Sequence, residues 1–273
     1  MILPSLNRKP VVLTVAGSDS GGCAGIQADL ETFAAFGVHG TSVITAVTAQ
    51  NTRRILSIHR LPVREIEAQL AAVFEDFSIA AVKVGMLASG AAIVSLAAAL
   101  HSRRAANVVI DPVLASTSGT PLLPRAALKR LRNELLPLAA VLTPNVPEAE
   151  VLLGRPLRRA ADLEPAARDL LQFGPRAVLL KGGHLRGTVV RDVLVEARSA
   201  ARLFTHARLP IAARGTGCTL AAAIAAGLAL GLDCNSAVAR AERYLQQCLS
   251  RAYRAGRGRP LALEHLHNES TEP

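Results

Sequence analysis

The sequence predicts an α/β protein, and two observations carry that expectation. Short β-branched runs alternate with Ala/Leu-rich helical stretches along the chain. Polar loops follow the strands, at the edge where open α/β sheets bind ligands. In order, residues 11–16 read as a buried strand, 24–36 as a helix closed by Gly37, and 41–49 as a strand. Residues 62–77 read as helix, 79–84 as strand, 91–100 as helix, and 107–110 as a strand stopped at Asp111-Pro112. A Ser/Thr/Gly loop runs to Pro121, followed by a helix over 125–135, a strand over 139–143, a helix from Val146, another over 160–173, and a strand over 177–180. The period then changes, with 188–196 and 202–209 alternating like antiparallel neighbours before two helices, 219–230 and 235–254. Residues 256–273 are polar and Gly/Pro-punctuated, which predicts a tail mobile in part. No repeat, low-complexity segment or linker divides the 273 residues, so one domain with its core over residues 11–255 is expected.

Composition narrows the class. Half the residues are apolar, 19% are charged and mean hydropathy is +0.30, which supplies a core and excludes a disordered chain. Cysteines at 23, 218, 234 and 248 show neither zinc-site spacing nor the density of a disulfide scaffold, which fits a reducing compartment. Residues 1–10 lack the apolar run of a signal peptide, and no later stretch offers about 18 apolar residues, so a cytoplasmic protein without a membrane partner is expected. The net charge of +10 comes from arginines scattered in pairs such as Arg53-Arg54 and Arg158-Arg159, with only 3% aromatic residues to stack bases. That distribution predicts a solvated surface rather than a nucleic-acid-binding one. Lysine occurs only at 9, 83, 129 and 181, so Lys83 and Lys181, both in apolar strands, demand a role beyond surface charge.

Several loops could carry chemistry, each with a plain structural alternative. Gly215-Thr216-Gly217-Cys218 opens an apolar helix, and its glycines let successive N–H groups point outward at the positive helix end, forming an anion cradle. The alternative is a glycine turn feeding a core helix. Neither Walker A nor the dinucleotide fingerprint fits, because no Gly-Lys-Ser/Thr follows and residue 220 is Leu. Cys218, in the first turn, is expected to have a lowered pKa and to act as base or nucleophile, the alternative being an inert buried thiol. The loop Ala16-Gly17-Ser18-Asp19-Ser20-Gly21-Gly22 suits a tight approach to a polar ligand. Asp29, in the helix behind it, also reads as a helix-surface charge. Asn145 and Glu148 form either a capping box or a site where Glu148 holds hydrated magnesium and Asn145 meets phosphate. Lys181 faces a nucleotide phosphate or snorkels to solvent, and Asp111 carries charge near a metal or only forms a turn before Pro112. His265 and His267 have no partner at metal-ligand spacing and are read as tail residues.

Together these runs resemble a family. The carriers are the first loop, then Ala24-Gly25-Ile26-Gln27-Ala28-Asp29, Val43-Ile44-Thr45-Ala46, Ala49-Gln50-Asn51-Thr52, Lys83-Val84-Gly85-Met86 and Asp111-Pro112-Val113. Thr143-Pro144-Asn145-Val146-Pro147-Glu148, Lys181-Gly182-Gly183-His184 and Gly215-Thr216-Gly217-Cys218-Thr219 complete the order. The chain resembles the hydroxymethylpyrimidine/phosphomethylpyrimidine kinases of thiamine biosynthesis, of the ribokinase-like superfamily, from about Val11 to Ala255.

The resemblance implies a three-layer α/β/α fold with a central, mainly parallel sheet, ATP with Mg2+, and successive transfers making a pyrimidine monophosphate and then diphosphate. It implies that Gln50 hydrogen-bonds the aminopyrimidine, with Asp29, Met86, Val113 and Gly17 around the same pocket. Gly215, Thr216, Gly217 and Cys218 become the anion hole, Cys218 standing where sugar-kinase relatives place an aspartate base. Glu148 and Asp111 serve magnesium, and Lys181, Asn145 and Thr216 serve the nucleotide phosphates. A homodimer is implied as well. Four positions depart from the family's pattern: Cys23 stands where glycine is usual, Arg214 where histidine is frequent, and Thr117 and Thr120 where lysine and aspartate are common. The rival expectations are a pyridoxal kinase of the same superfamily and, favoured by charge alone, an arginine-rich nucleic-acid-binding protein.

Overall fold

The computed structural model describes residues 8–116 and 119–266, so Thr117 and His267 lie outside the described residues. One nine-stranded sheet carries the fold: β1 (Val11–Asp19), β2 (His39–Gln50), β3 (Ile55–Arg60), β4 (Ile79–Val84), β5 (Val108–Ile110), β6 (Val141–Leu142), β7 (Ala177–Leu180), β8 (Val189–Glu196) and β9 (Arg202–Ala207). Their spatial order is β3-β2-β1-β4-β5-β6-β7-β8-β9. The six central strands from β2 to β7 pair in parallel, whereas β3, β8 and β9 add antiparallel pairings at the two edges. Central strands buried on both faces read as continuous apolar runs, as β5 and β7 do.

Helices cover both faces. On one side lie α2 (Val63–Asp76), α3 (Gly90–Ser102), α4 (Leu128–Arg130), α5 (Val146–Leu153) and α6 (Leu163–Leu171), packed on Leu13, Val15, Val82 and Val84. On the other lie α1 (Gly25–Ala35), α7 (Thr216–Ala229) and α8 (Cys234–Ser250), packed on Val12, Ala81, Val109 and Leu179. Adjacent residues of one strand thus serve opposite cores, as the period of two requires. Helix α7 is apolar all round because it lies buried between the sheet and α8. None of the helices among the described residues is long and apolar enough to cross a membrane.

Two expectations change. Strand β3 was not anticipated; it is an edge strand with Leu56 60% exposed, so its pairing with β2 leaves little burial pattern to read. The segment after α8 is anchored through residue 266, and residues 267–273 of the stretch expected to be mobile in part lie outside the described residues. Ala213 pairs with Leu261 and Tyr253 with Ala262, while the Gly258 N–H donates to Thr52 Oγ1 at 2.9 Å. His265 is no tail residue: buried, it holds Thr219 Oγ1 at 2.9 Å on one ring nitrogen and Glu31 at 2.8 Å on the other.

Candidate active site

Strand β1 has β2 on one side and β4 on the other, so connections leave it in both directions and a crevice opens beyond the strands' carboxyl ends. A cavity of about 710 Å³ lies there, lined by Gly17, Gln50, Lys83, Met86, Asp111, Val113, Asn145, Glu148, Lys181 and the turn Arg214 to Cys218.

Two segments close on each other at its floor. Gly215 has φ +78, and a Cβ there would run into the Cys23 carbonyl oxygen. Gly25, with φ +61, lies as tightly against the Gly17 carbonyl. A side chain at Gly215 would push the first loop off the turn that starts α7, and one at Gly25 would push the start of α1 off the end of β1. Asp19 orders that loop, accepting from Gly21 N at 2.8 Å and Cys23 N at 3.2 Å, an Asx turn the Ser-Asp-Ser-Gly-Gly run announces. The first N–H groups of α7 have no intrahelical acceptor and sit at the positive helix end. Gly217 is so close to the next strand ends that a Cβ would be 3.2 Å from both Asp111 Oδ2 and Lys181 Nζ.

Beyond β5 to β7 the wall is charged. Lys181 Nζ donates to Asp111 Oδ1 at 2.9 Å. Burial works to discharge Lys181, but Asp111 and Glu148 hold it above its ordinary value. Glu148 makes the capping box: its Oε2 accepts from Asn145 N at 2.8 Å, and Asn145 Oδ1 accepts from Glu148 N at 2.9 Å. The cap consumes one edge of a buried carboxylate that also lies on the cavity wall, so capping and cation binding do not exclude each other. Burial, with Asp111 adding, pushes Glu148 up to about 8. Arg208 braces the loop after Lys181 by donating to the Gly183, Leu185 and Gly187 carbonyls at 2.6–2.7 Å. No local sequence signal marks that arginine.

The opposite wall suits an uncharged ring. Met86, Ala46 and Leu122 form a small apolar cluster with Val113 against it. A Cβ at Gly17 would meet Met86 Cε, so any side chain there would have to displace the Met86 methyl. Gln50 sits at the end of β2, its backbone held on both sides by Ser20 Oγ at 2.8 Å, leaving the amide for a ligand. Thr120, exposed, donates its N–H to Ser116 Oγ at 3.1 Å and is not on the cavity wall.

Two site expectations need correction. Asp29 does not line the cavity. It is fully buried beneath β1, where its Oδ2 accepts from Lys83 Nζ at 2.8 Å and Thr14 Oγ1 at 2.6 Å, because α1 turns this face onto the sheet. Asp29 therefore positions Lys83 and lies off the cavity wall. Cys218, expected to have a lowered pKa, has the reverse: burial pushes its thiol up to about 11, with Asp29 and Asp111 adding and Lys83 only partly opposing. The Gly25 N–H near its sulfur offsets a small part of that rise.

Comparison with known proteins agrees with this geometry. A family model described as phosphomethylpyrimidine kinase matches residues 19–261. A hydroxymethylpyrimidine/phosphomethylpyrimidine kinase of Rhizobium meliloti is 44% identical over 260 residues, covering 94% of this chain and 97% of that one. The thiamine biosynthesis bifunctional protein ThiED of Geobacter sulfurreducens is 47% identical over 247 residues, 90% of this chain, which spans 50% of that longer protein. Among solved structures, phosphomethylpyrimidine kinase from Clostridium difficile 630 is 41% identical with a TM-score of 0.79, covering 88% of this chain and 100% of that one. An ADP complex of Bacillus subtilis pyridoxal kinase is 30% identical with a TM-score of 0.86, covering 94% and 97% of the two chains. The chain belongs to the phosphomethylpyrimidine kinase family and is a phosphotransferase with the ribokinase-like α/β fold.

Proposed function

We propose that this chain transfers the γ-phosphoryl group of ATP to 4-amino-5-hydroxymethyl-2-methylpyrimidine and then to the resulting monophosphate, yielding the diphosphate used in thiamine biosynthesis. The observation that carries the reading is the cavity's division. An apolar wall with the Gln50 amide faces a charged wall of Asp111, Lys181 and Glu148, and the α7 turn lies between them. Phosphoryl transfer is mostly positioning and electrostatic stabilisation, which this arrangement supplies. The N–H groups of Gly215 to Cys218 face the charge that develops on the transferring phosphoryl, while Lys181, Asn145 and Thr216 hold the nucleotide phosphates. Gln50, Met86, Val113 and Gly17 hold the pyrimidine. Use of ATP accords with structural relatives solved with ADP and AMP-PCP.

Magnesium fits the charged wall. Asp111 and Glu148 are buried carboxylates near enough for Asp111 to help raise Glu148, and a hard divalent cation with oxygen ligands relieves that repulsion. When bound, the ion would neutralise charge on the phosphates. The alcohol acceptor must lose a proton as it attacks, and Cys218 is the base; with its thiol at about 11, the reactive form is the minor one at neutral pH. The second acceptor, a phosphate largely dianionic at pH 7, needs no base.

A pyridoxal kinase is the second reading, favoured by the close backbone match to such enzymes but opposed by the higher identity to pyrimidine kinases. The proposal also includes a cytoplasmic homodimer with no nucleic-acid partner, supported by the resemblance and the scattered arginines. Product analysis tests the main reading: alcohol and monophosphate, each supplied with MgATP, should both end as diphosphate. Absence of diphosphate from both, with well-folded protein, would overturn it.

A further inference from the structure

Helix α8 buries Ala237, Val238, Ala241 and Leu245, and Glu242 falls in the middle of that apolar stripe. Its side chain is 6% exposed, and both carboxylate oxygens are enclosed without a hydrogen-bond donor. Gln246, one turn further along and lining the cavity, likewise keeps its Nε2 enclosed without a partner. Buried polar groups are nearly always paired, so two on one helix that are not point to a ligand that pairs them.

The two edge strands supply the rest of the cluster. In the antiparallel β8–β9 pair Asp192 faces Phe204 and Val190 faces His206, so Asp192 and His206 are diagonal neighbours on one face of the sheet. Leu194 and Phe204 share that face and pack into the core that α8 covers. The ligand atoms of Asp192, His206 and Glu242 all lie within 4.8 Å of one another. Asp192 is buried, its Oδ1 accepting from Gly182 N at 2.6 Å, and both it and His206 line the cavity. The neighbour in reach of Glu242 is Asp192, an acceptor like itself, and burial with Asp192 adding pushes Glu242 up to about 9. Lys181 is near enough to oppose the rise in both carboxyls, but its Nζ is already bonded to Asp111. Two buried carboxylates side by side need either a shared proton or a cation.

We infer that Asp192, His206 and Glu242 form a binding site for a divalent transition-metal ion of the zinc class, separate from the magnesium proposed at Asp111 and Glu148. The imidazole sets the metal: nitrogen with carboxylate oxygen suits zinc, whereas magnesium prefers oxygen ligands and keeps several waters. Three protein ligands leave a fourth tetrahedral position, to which the cavity beside Asp192 and His206 gives water access. The ion takes the place of the proton that the two carboxylates otherwise share. Because its ligands come from β8, β9 and α8, it ties the last helix to the edge of the sheet, next to the Lys181-Gly182 loop. The site stands apart from the kinase reading and holds whichever acceptor the enzyme uses.

The test is a zinc titration of chelator-treated parent, Glu242→Gln and His206→Gln, followed by calorimetry and thermal melting with Mg2+ in excess throughout to occupy the Asp111–Glu148 wall. The parent should take up zinc at this site and melt higher with it, since an ion that binds only the folded chain stabilises it by mass action. Each variant should weaken that binding by at least roughly 10- to 100-fold, the loss that follows removal of even an outer partner of a metal ligand. A zinc-edge anomalous peak in crystals of the parent should lie between the three side chains. Glu242→Gln offers Asp192 an amide hydrogen in place of the shared proton, so without metal it should melt near the parent. Should it melt early, His206→Gln, at a half-buried position, carries the same comparison. Zinc held with unchanged affinity by both variants would place it on other groups and overturn the site. A parent that takes up no zinc would overturn it too, leaving Asp192 and Glu242 as a proton-sharing pair.

Discussion

Two lysines, one inside an apolar strand and one just past the end of another, are each paired with an aspartate, and they do different things. Lys83 in β4 meets Asp29 at 2.8 Å with both side chains 0% exposed; Lys181 beyond β7 meets Asp111 at 2.9 Å with 13% and 5% exposed. The bond lengths hardly differ, so the distinction lies in access. Asp29 comes from a helix packed under the sheet and seals its lysine from below, with Thr14 as a third member. Asp111 comes from the next strand end but one and leaves its lysine open to the cavity and beside Gly217. A sealed pair braces the fold and an open one is available to an anionic ligand. Burial would discharge Lys83, but Asp29, with Cys218 and Asp111, holds it above its ordinary value; burial also raises Asp29, with Lys83 and Thr14 opposing.

The largest effect expected from this contrast is on stability. Lys83→Met should leave Asp29 buried without a counter-charge and cost about 3–5 kcal/mol in chemical denaturation. Combining it with Asp29→Leu should recover most of that, because a well-packed apolar pair replaces both charges. If Lys83→Met unfolds like the parent and loses only turnover, the contrast is wrong.

Lys181→Met should do the opposite. We expect kcat to fall roughly 10²–10³-fold, as for removal of one donor to a developing anion, with a smaller loss of stability than Lys83→Met. A denaturation midpoint that drops as far as that of Lys83→Met would make the two pairs equivalent.

Cys218 sharpens the account between them. Cys218→Ala should slow phosphorylation of the alcohol by roughly 10², the loss of a general base, and affect the monophosphate less. In the parent, the alcohol step should accelerate about tenfold per pH unit above neutrality, because a thiol at about 11 is ionised in proportion to pH below that value. A flat profile from pH 7 to 9 would remove Cys218 as the base.

The smallest effect concerns Glu148. Its folded pKa, about 8, lies above the ordinary carboxylate value, so the folded state holds a proton that the unfolded chain has already released. Its stabilising contribution is full below about pH 4.3 and is lost as pH rises through about 8. Metal-free parent protein should therefore lose stability over that window relative to Glu148→Gln, and added magnesium should flatten the difference. Parallel stability curves for the two proteins would leave Glu148 as a cap alone.

Much of the site was legible because strand ends in a parallel sheet carry their ligands in local motifs. Asp111, Asn145, Glu148, Lys181 and the α7 turn are all found at one edge of the sheet, as their places after strands implied. The scarcity of lysine singled out Lys83 and Lys181, but not which pair would be sealed, since that depends on Asp29 lying 54 residues away in sequence. Strand β3 was missed because an exposed edge strand has little burial pattern, and the anchored carboxyl-terminal segment because its partners, Thr52, Ala213 and Glu31, are distant in sequence. The Cys218 thiol departs from the expectation of a lowered pKa because helix position is local in sequence and burial is not.

The most direct test of the central claim is a side-by-side measurement of kcat/KM for the pyrimidine alcohol and for pyridoxal with MgATP, with products identified. The account predicts that the pyrimidine is preferred by at least about tenfold, because a site built to pair the pyrimidine's polar edge rejects a ring that lacks it, and that its product proceeds to the diphosphate. Preference for pyridoxal, with a monophosphate as the only product, would contradict it.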